Sequence, residues 1–123
     1  MSERRRALGQ QGEQLAETYL IQKGYEIVGR NVRTRRGEID LIAVDRGSLV
    51  FVEVRTRSSL AFGTAAESVS WRKRQKLREL AMEYLQGLSR YVPAFRFDVI
   101  AIHVSRSHES GRHASIEHIE HAF

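Results

Sequence analysis

Two carboxylates stand where apolar side chains are expected. Asp40 interrupts the run from Glu38 to Val44, and Glu53 interrupts the run from Val50 to Val54. An unpaired carboxylate in an apolar interior is costly, so both positions call for a cation or a hydrogen-bonding partner. Arg55 lies two residues beyond Glu53, so on an extended strand the two side chains leave the same face, roughly 7 Å apart. A tight turn over Asp45–Ser48, around Gly47, folds the two runs into a hairpin and brings Asp40 beside Glu53. Two carboxylates and a cation converging on a sheet are the set that phosphodiester hydrolysis requires. A magnesium or manganese ion takes oxygen ligands: one or two protein carboxylates, waters and a phosphate oxygen. The ion polarises the phosphoryl group and acidifies a bound water, and a nearby cation stabilises the charge that develops. The same spacing also suits a buried Glu53–Arg55 or Asp40–Arg55 ion pair that only fixes the fold. Spacing leaves both readings open.

The elements that would carry these residues follow from periodicity. Leu8, Leu15, Ala16, Tyr19 and Leu20 fall at helical spacing over Leu8–Lys23, with Gly24 as the stop. Gly12 shares that face, where a missing side chain lets the helix approach a sheet. Strands are expected over Tyr25–Val32, Glu38–Val44, Leu49–Thr56 and Phe97–Val104, with a weaker edge strand over Ser115–His121. Polar turns or loops cover Arg33–Gly37, Ser58–Ala66 and Ser105–Arg112. In the hairpin, Ile39 and Leu41 point one way and Ile42 and Val44 the other, so both faces are apolar. Such strands belong inside a covered sheet. A second helix, Glu67 to Leu88, turns Leu77, Leu80, Ala81, Tyr84 and Leu88 inward, and Gly87 and Ser89 end it. The order is α-β-β-β-α-β-β: an α/β fold with a mixed central sheet flanked by helices, in one domain over residues 1–123.

The composition sets the partner class. Of 20 basic residues 17 are arginine, and the formal net charge is +5. Arginine forks onto phosphate oxygens, whereas lysine is a compact point charge. Arg33, Arg35 and Arg36 cluster in one turn, and Arg57, Arg72 and Arg74 follow, a footprint suited to nucleic acid. No helix pairs a basic face with a strongly apolar one, which argues against a membrane surface. There is no cysteine, so disulfides and thiolate-bound zinc are excluded. The charged start, Met1–Arg6, is not followed by an apolar run, so a cytoplasmic protein is expected, with a homodimer compatible with a domain of this size.

The strings Gly37-Glu38-Ile39-Asp40-Leu41-Ile42-Ala43 and Phe51-Val52-Glu53-Val54-Arg55-Thr56-Arg57 resemble the YraN-type uncharacterised bacterial proteins. The resemblance extends to Gly12-Glu13, to the second helix and to Arg96-Phe97-Asp98-Val99-Ile100. It implies a restriction-endonuclease-like fold of the PD-(D/E)XK nuclease superfamily, near the Holliday-junction resolvases, and hence a magnesium-dependent endonuclease acting on structured DNA. It also implies that Asp40 and Glu53 are the metal-binding acids and that Glu13 is an additional one. The sequence departs from the superfamily pattern at Arg55, where a lysine is usual. Arginine can stabilise charge, but its pKa is too high for a neutral general base. Either the cation is purely electrostatic or a lysine elsewhere supplies the function. Lys73, one helical turn before Leu77, is the candidate. If neither holds, the chain is a binding module with a degenerate site that assists a partner.

His118 and His121 lie three apart, which on an edge strand sends them to opposite sides, so no zinc site is expected. Trp71 and Tyr84 could stack on bases, but an aromatic on a helix flank more often fills a core or surface.

Overall fold

Apolar periodicity resolves into seven elements in the computed structural model, which describes residues 3–58, 63–107 and 111–123. They are α1 (Glu3–Gln22), β1 (Glu26–Thr34), β2 (Gly37–Asp45), β3 (Ser48–Ser58), α2 (Trp71–Gln86), β4 (Phe95–Ser107) and β5 (Gly111–Ile119). The fold is α/β, with one five-stranded sheet in the order β1-β2-β3-β4-β5. All neighbours are antiparallel except β3 and β4, which run parallel because α2 carries the chain back between them. Among the described residues no helix is long and apolar enough to cross a membrane.

Each helix covers one face. Ala16 and Leu20 of α1 pack on Leu41, Ala43, Val50, Val52, Ile100 and Ile102. Leu77, Leu80 and Ala81 of α2 pack on Ile39, Ile42, Phe51, Phe97 and Val99. The middle strands are therefore buried on both sides, which explains their nearly continuous apolar sequence. Tyr84 belongs to this core, edge-on to Phe51 with ring centroids 5.9 Å apart. Trp71, by contrast, is 74% exposed.

The elements depart from the sequence expectation in instructive places. Ile39 and Leu41 do not share a face: Ile39 packs under α2 with Ile42, while Leu41 packs under α1. The alternation slips at Asp40, where the ladder to β3 also stops, its last pair being Leu41 opposite Val52. Helix α2 starts at Trp71 and not at Glu67. The segment before it is a hydrogen-bonded turn, with Ser68 N donating to Thr64 O and Val69 N to Ala66 O, and Ser70 as the cap. Strands β4 and β5 extend into the stretch read as a polar loop over Ser105–Arg112. Residues 108–110 of that loop, and 59–62 of the earlier one, lie outside the described residues.

At one end of the sheet a second buried charge is fully matched. Asp98 is 0% exposed. It accepts from Arg96 Nε at 3.0 Å and from the His121 amide at 3.2 Å, and its other oxygen lies 2.8 Å from His118 Nε2. Arg96 also reaches Asp45 at 3.3 Å and the Tyr25 hydroxyl at 2.8 Å. His118 thus holds a carboxylate, and the two histidines contribute to one network through different groups, a side chain and a backbone amide. Removing one partner of such a set strands the rest. Asp98→Ala should cost about 3–5 kcal/mol, measured by urea unfolding.

Gly12 sets the distance of α1 from the sheet. A Cβ there would come within 2.3 Å of Thr56 Oγ1 on β3, whereas one at Gly9 would meet nothing within 4 Å. Gly12→Val should therefore destabilise by about 1–3 kcal/mol through overpacking. Gly9→Ala should stabilise by roughly 1 kcal/mol through helix propensity. Equal effects in urea melts would show that close approach is not the constraint.

Candidate functional site

Where β2 leaves β3, a cleft of about 460 Å³ opens beside α1, lined by Gly9, Glu13, Asp40, Glu53, Arg55 and Thr56. The strand ladder would place Asp40 opposite Glu53, one step past the last pair. Instead, the Val54 amide donates to Asp40 Oδ2 at 2.9 Å. The carboxylate takes a hydrogen bond that a strand carbonyl would otherwise accept, and its direction is fixed by the backbone.

Glu53 is 5% exposed. Its Oε1 lies 3.8 Å from Lys73 Nζ, reaching in from the first turn of α2. Its Oε2 is buried without a hydrogen-bond partner. Arg55 is on the same side of β3, but its guanidinium donates through Nη2 to Ser68 O at 2.7 Å, and its Nε is buried and unpaired. Glu13 approaches from α1. One carboxylate oxygen each from Glu13, Glu38 and Asp40 lies within 4.8 Å of the others. The structure thus gathers Glu13, Asp40, Glu53 and Lys73 at one place and turns the Arg55 head group towards the turn before α2.

Glu38 carried no assigned role in the sequence, although it stands two residues before Asp40 and so on the same side of an extended strand. Asn31 gave no signal at all. Its backbone is left-handed, φ +47°, a conformation asparagine tolerates better than most residues. From there its amide donates to Glu13 Oε2 at 3.0 Å and to Glu38 Oε1 at 2.6 Å.

The crowding of carboxylates shifts their protonation. Asp40 is pushed up to about 7, first by burial and then by the Glu53 charge, with Glu13 adding and the Val54 amide and Lys73 opposing. Glu53 is raised too, by burial, against the pull of Lys73 and Arg55. A shared pair of buried carboxylates with a cation at its edge is a set of groups that could hold a metal ion in place of protons.

The arginines expected on nucleic acid divide into two groups. Arg35 and Arg36 sit in the exposed turn between β1 and β2, and Arg72 is exposed beside Lys73. Arg33, also exposed, pairs with Glu38 at 3.2 Å. Arg57 donates to Gly63 O at 3.0 Å. Arg74 donates to Val69 O and Ala66 O at 2.9 and 2.7 Å and lies over the Phe123 ring. Its guanidinium is engaged in holding the turn that leads into α2.

The raised Asp40 gives a signed pH dependence. Between its ordinary value of 3.8 and about 7 the folded chain binds more protons than the unfolded one. Its contribution to stability is therefore full below about 4 and is lost as pH rises through about 7. Asp40→Asn keeps an acceptor for Val54 and removes the charge. In thermal melts the variant should lose the decline of midpoint across that window and exceed the wild type at neutral pH. A parallel pH profile for both proteins would count against a strained Asp40.

The family model described as "Uncharacterised protein family UPF0102" matches residues 12–102. A UPF0102 protein from Rhodococcus opacus is 48% identical over 117 residues, 95% of this chain and 96% of its own. One from Herpetosiphon aurantiacus is 44% identical over 124 residues, 98% of this chain and all of its own. One from Pelotomaculum thermopropionicum is 44% identical over 123 residues, spanning both chains completely.

Proposed function

The chain belongs to the YraN-like family UPF0102, and we propose that it is a divalent-cation-dependent phosphodiesterase acting on structured DNA. The observation that carries this reading is the Glu53 carboxylate, 5% exposed, with Oε2 unpaired in the cleft that Asp40 and Glu13 also line. A buried polar atom left unmade costs about 1–3 kcal/mol, and more when charged. A cation held by Glu53, Asp40 and Glu13 would remove that cost. The donor set is all oxygen and carboxylate, which fits magnesium or manganese. When bound, the ion would polarise a phosphate oxygen and acidify a water.

The remaining roles belong to the chain's own residues. Lys73, 3.8 Å from Glu53, supplies an ammonium at the cleft that can stabilise negative charge. The exposed Arg35, Arg36 and Arg72 offer forks for backbone phosphates, and the positive end of the α2 dipole adds to the same field. A second reading, a binding module without turnover, is favoured by one observation: the strand cation is an arginine committed to Ser68 O.

Cleavage of duplex, flap and four-way junction DNA with magnesium or manganese tests the proposal. Asp40→Asn and Glu53→Gln should abolish turnover. Lys73→Ala should raise the barrier by roughly 2.7–4 kcal/mol, the loss of one preorganised electrostatic group. Arg55→Lys should retain activity. Binding should weaken with salt at a slope near 0.9 per phosphate contacted, and charge reversal at Arg35 or Arg36 should reduce that slope. Salt-dependent binding without cleavage under either ion would move the module reading into first place.

A further inference from the structure

We infer that Glu38 is a cation ligand alongside Glu13 and Asp40, and that the Asn31 amide is the donor that holds Glu13 and Glu38 in ligand posture. The inference rests on the reading above that the cleft takes a divalent ion, and it enlarges the ligand set beyond the acids singled out by sequence.

Three carboxylates from two elements, Glu13 on α1 and Glu38 and Asp40 on β2, do not converge without cause. One oxygen from each lies within 4.8 Å of the other two. Close carboxylates repel, so the arrangement requires positive or donor groups between them. Two donors serve Glu38: the Asn31 amide on Oε1 at 2.6 Å and Arg33 Nε on Oε2 at 3.2 Å. An ionised carboxylate has about four lone-pair sites, so one on each oxygen stays open. Independently of this cluster, the cleft that Glu13 and Asp40 line also holds Glu53, whose Oε2 is buried and unpartnered. A hard cation coordinated by oxygen suits the clustered carboxylates, and Glu53 adds an unpartnered acceptor beside them.

Asn31 is placed for its task by the backbone. Its left-handed φ follows the irregularity in β1 pairing between Ile27 and Gly29, and it projects the amide between α1 and β2. The amide bridges Glu13 Oε2 and Glu38 Oε1. Partners that hold a metal ligand by a hydrogen bond orient it and tune its affinity, and their loss typically costs 10–100-fold in binding. Asn31 is on this view a positioning residue and touches no reacting atom.

The experiment is a manganese titration of the full chain, by calorimetry and by the loss of the free-ion electron paramagnetic resonance signal. Glu38→Gln should weaken binding at least as much as Asn31→Gly, for which roughly 10–100-fold is expected. Asn31→Gly should keep or raise the unfolding midpoint, since glycine adopts positive φ without strain. That separates the lost amide from a lost fold. Arg33→Ala, at a side chain 78% exposed, should weaken binding much less than Asn31→Gly, which separates the amide from a solvent-screened Arg33–Glu38 ion pair. Wild-type affinity in both Glu38→Gln and Asn31→Gly, with loss in Glu53→Gln, would overturn the inference and spare the metal site. No manganese binding by the wild type would overturn both. Binding intact in the pattern expected, but with no cleavage of any DNA, would sustain the inference and remove only the turnover.

Discussion

The cleft depends on a single change of hydrogen-bond partner, the Val54 amide donating to the Asp40 carboxylate in place of a strand carbonyl. Up to Leu41 and Val52 the hairpin is an ordinary antiparallel ladder. Beyond that pair β3 stays straight because β4 holds it in parallel register from Leu49 to Ser58. Strand β2 is free to part from it. The amide exposed by the parting would be a buried donor without an acceptor, and Asp40 supplies one. The kink, the opening and the aim of the carboxylate are thus one event. Gly12 completes the geometry from the other side, since only the absence of a side chain there brings α1 close enough to deliver Glu13.

Two buried carboxylate sites on one sheet show what distinguishes a structural charge from a reactive one. Burial pushes Asp98 up, yet hydrogen bonds from His118, Arg96 and the His121 amide outweigh it, and the group ends below the usual carboxylate range. Asp40 and Glu53 receive fewer donors and face each other, so burial prevails and both are raised. Electrostatic frustration confined to a cleft, with well-satisfied charge elsewhere, is the pattern expected where a protein has kept room for a ligand.

Much of this was legible in the chain. The hairpin runs, the helix faces and the glycine at position 12 followed from periodicity and from the absence of a side chain, because strands covered on both sides have little freedom in what they accept. What periodicity could not reveal was where it would slip. Ile39 lies under α2 and not beside Leu41, because a backbone amide elsewhere in the chain needed the Asp40 oxygen. Asn31 was equally invisible, since its role depends on a left-handed backbone and on two carboxylates from distant elements. Arg74 belongs to the arginine footprint expected on nucleic acid, and its fork serves carbonyls of a turn that only the tertiary fold creates. Long-range hydrogen bonds decided each of these cases, and no local spacing encodes them.

The arginine at position 55 takes on a physical sense in this light. Its fork reaches Ser68 O, while Arg74 holds the carbonyls of Ala66 and Val69. Two guanidinium groups thereby pin three carbonyls of the segment immediately before α2. That segment ends in Ser70, whose hydroxyl accepts from the Lys73 amide at 3.2 Å and so starts the helix at a defined residue. The helix phase set there turns the Lys73 side chain towards Glu53 and seats Leu77 and Leu80 in the core. A lysine on the strand would bring a compact ammonium to Glu53 directly but would give up the planar fork that grips the turn. The chain divides the two tasks: the strand arginine fixes the approach, and the helix lysine presents the charge. On this arrangement the ammonium facing the acidic pair comes from α2 and not from the strand.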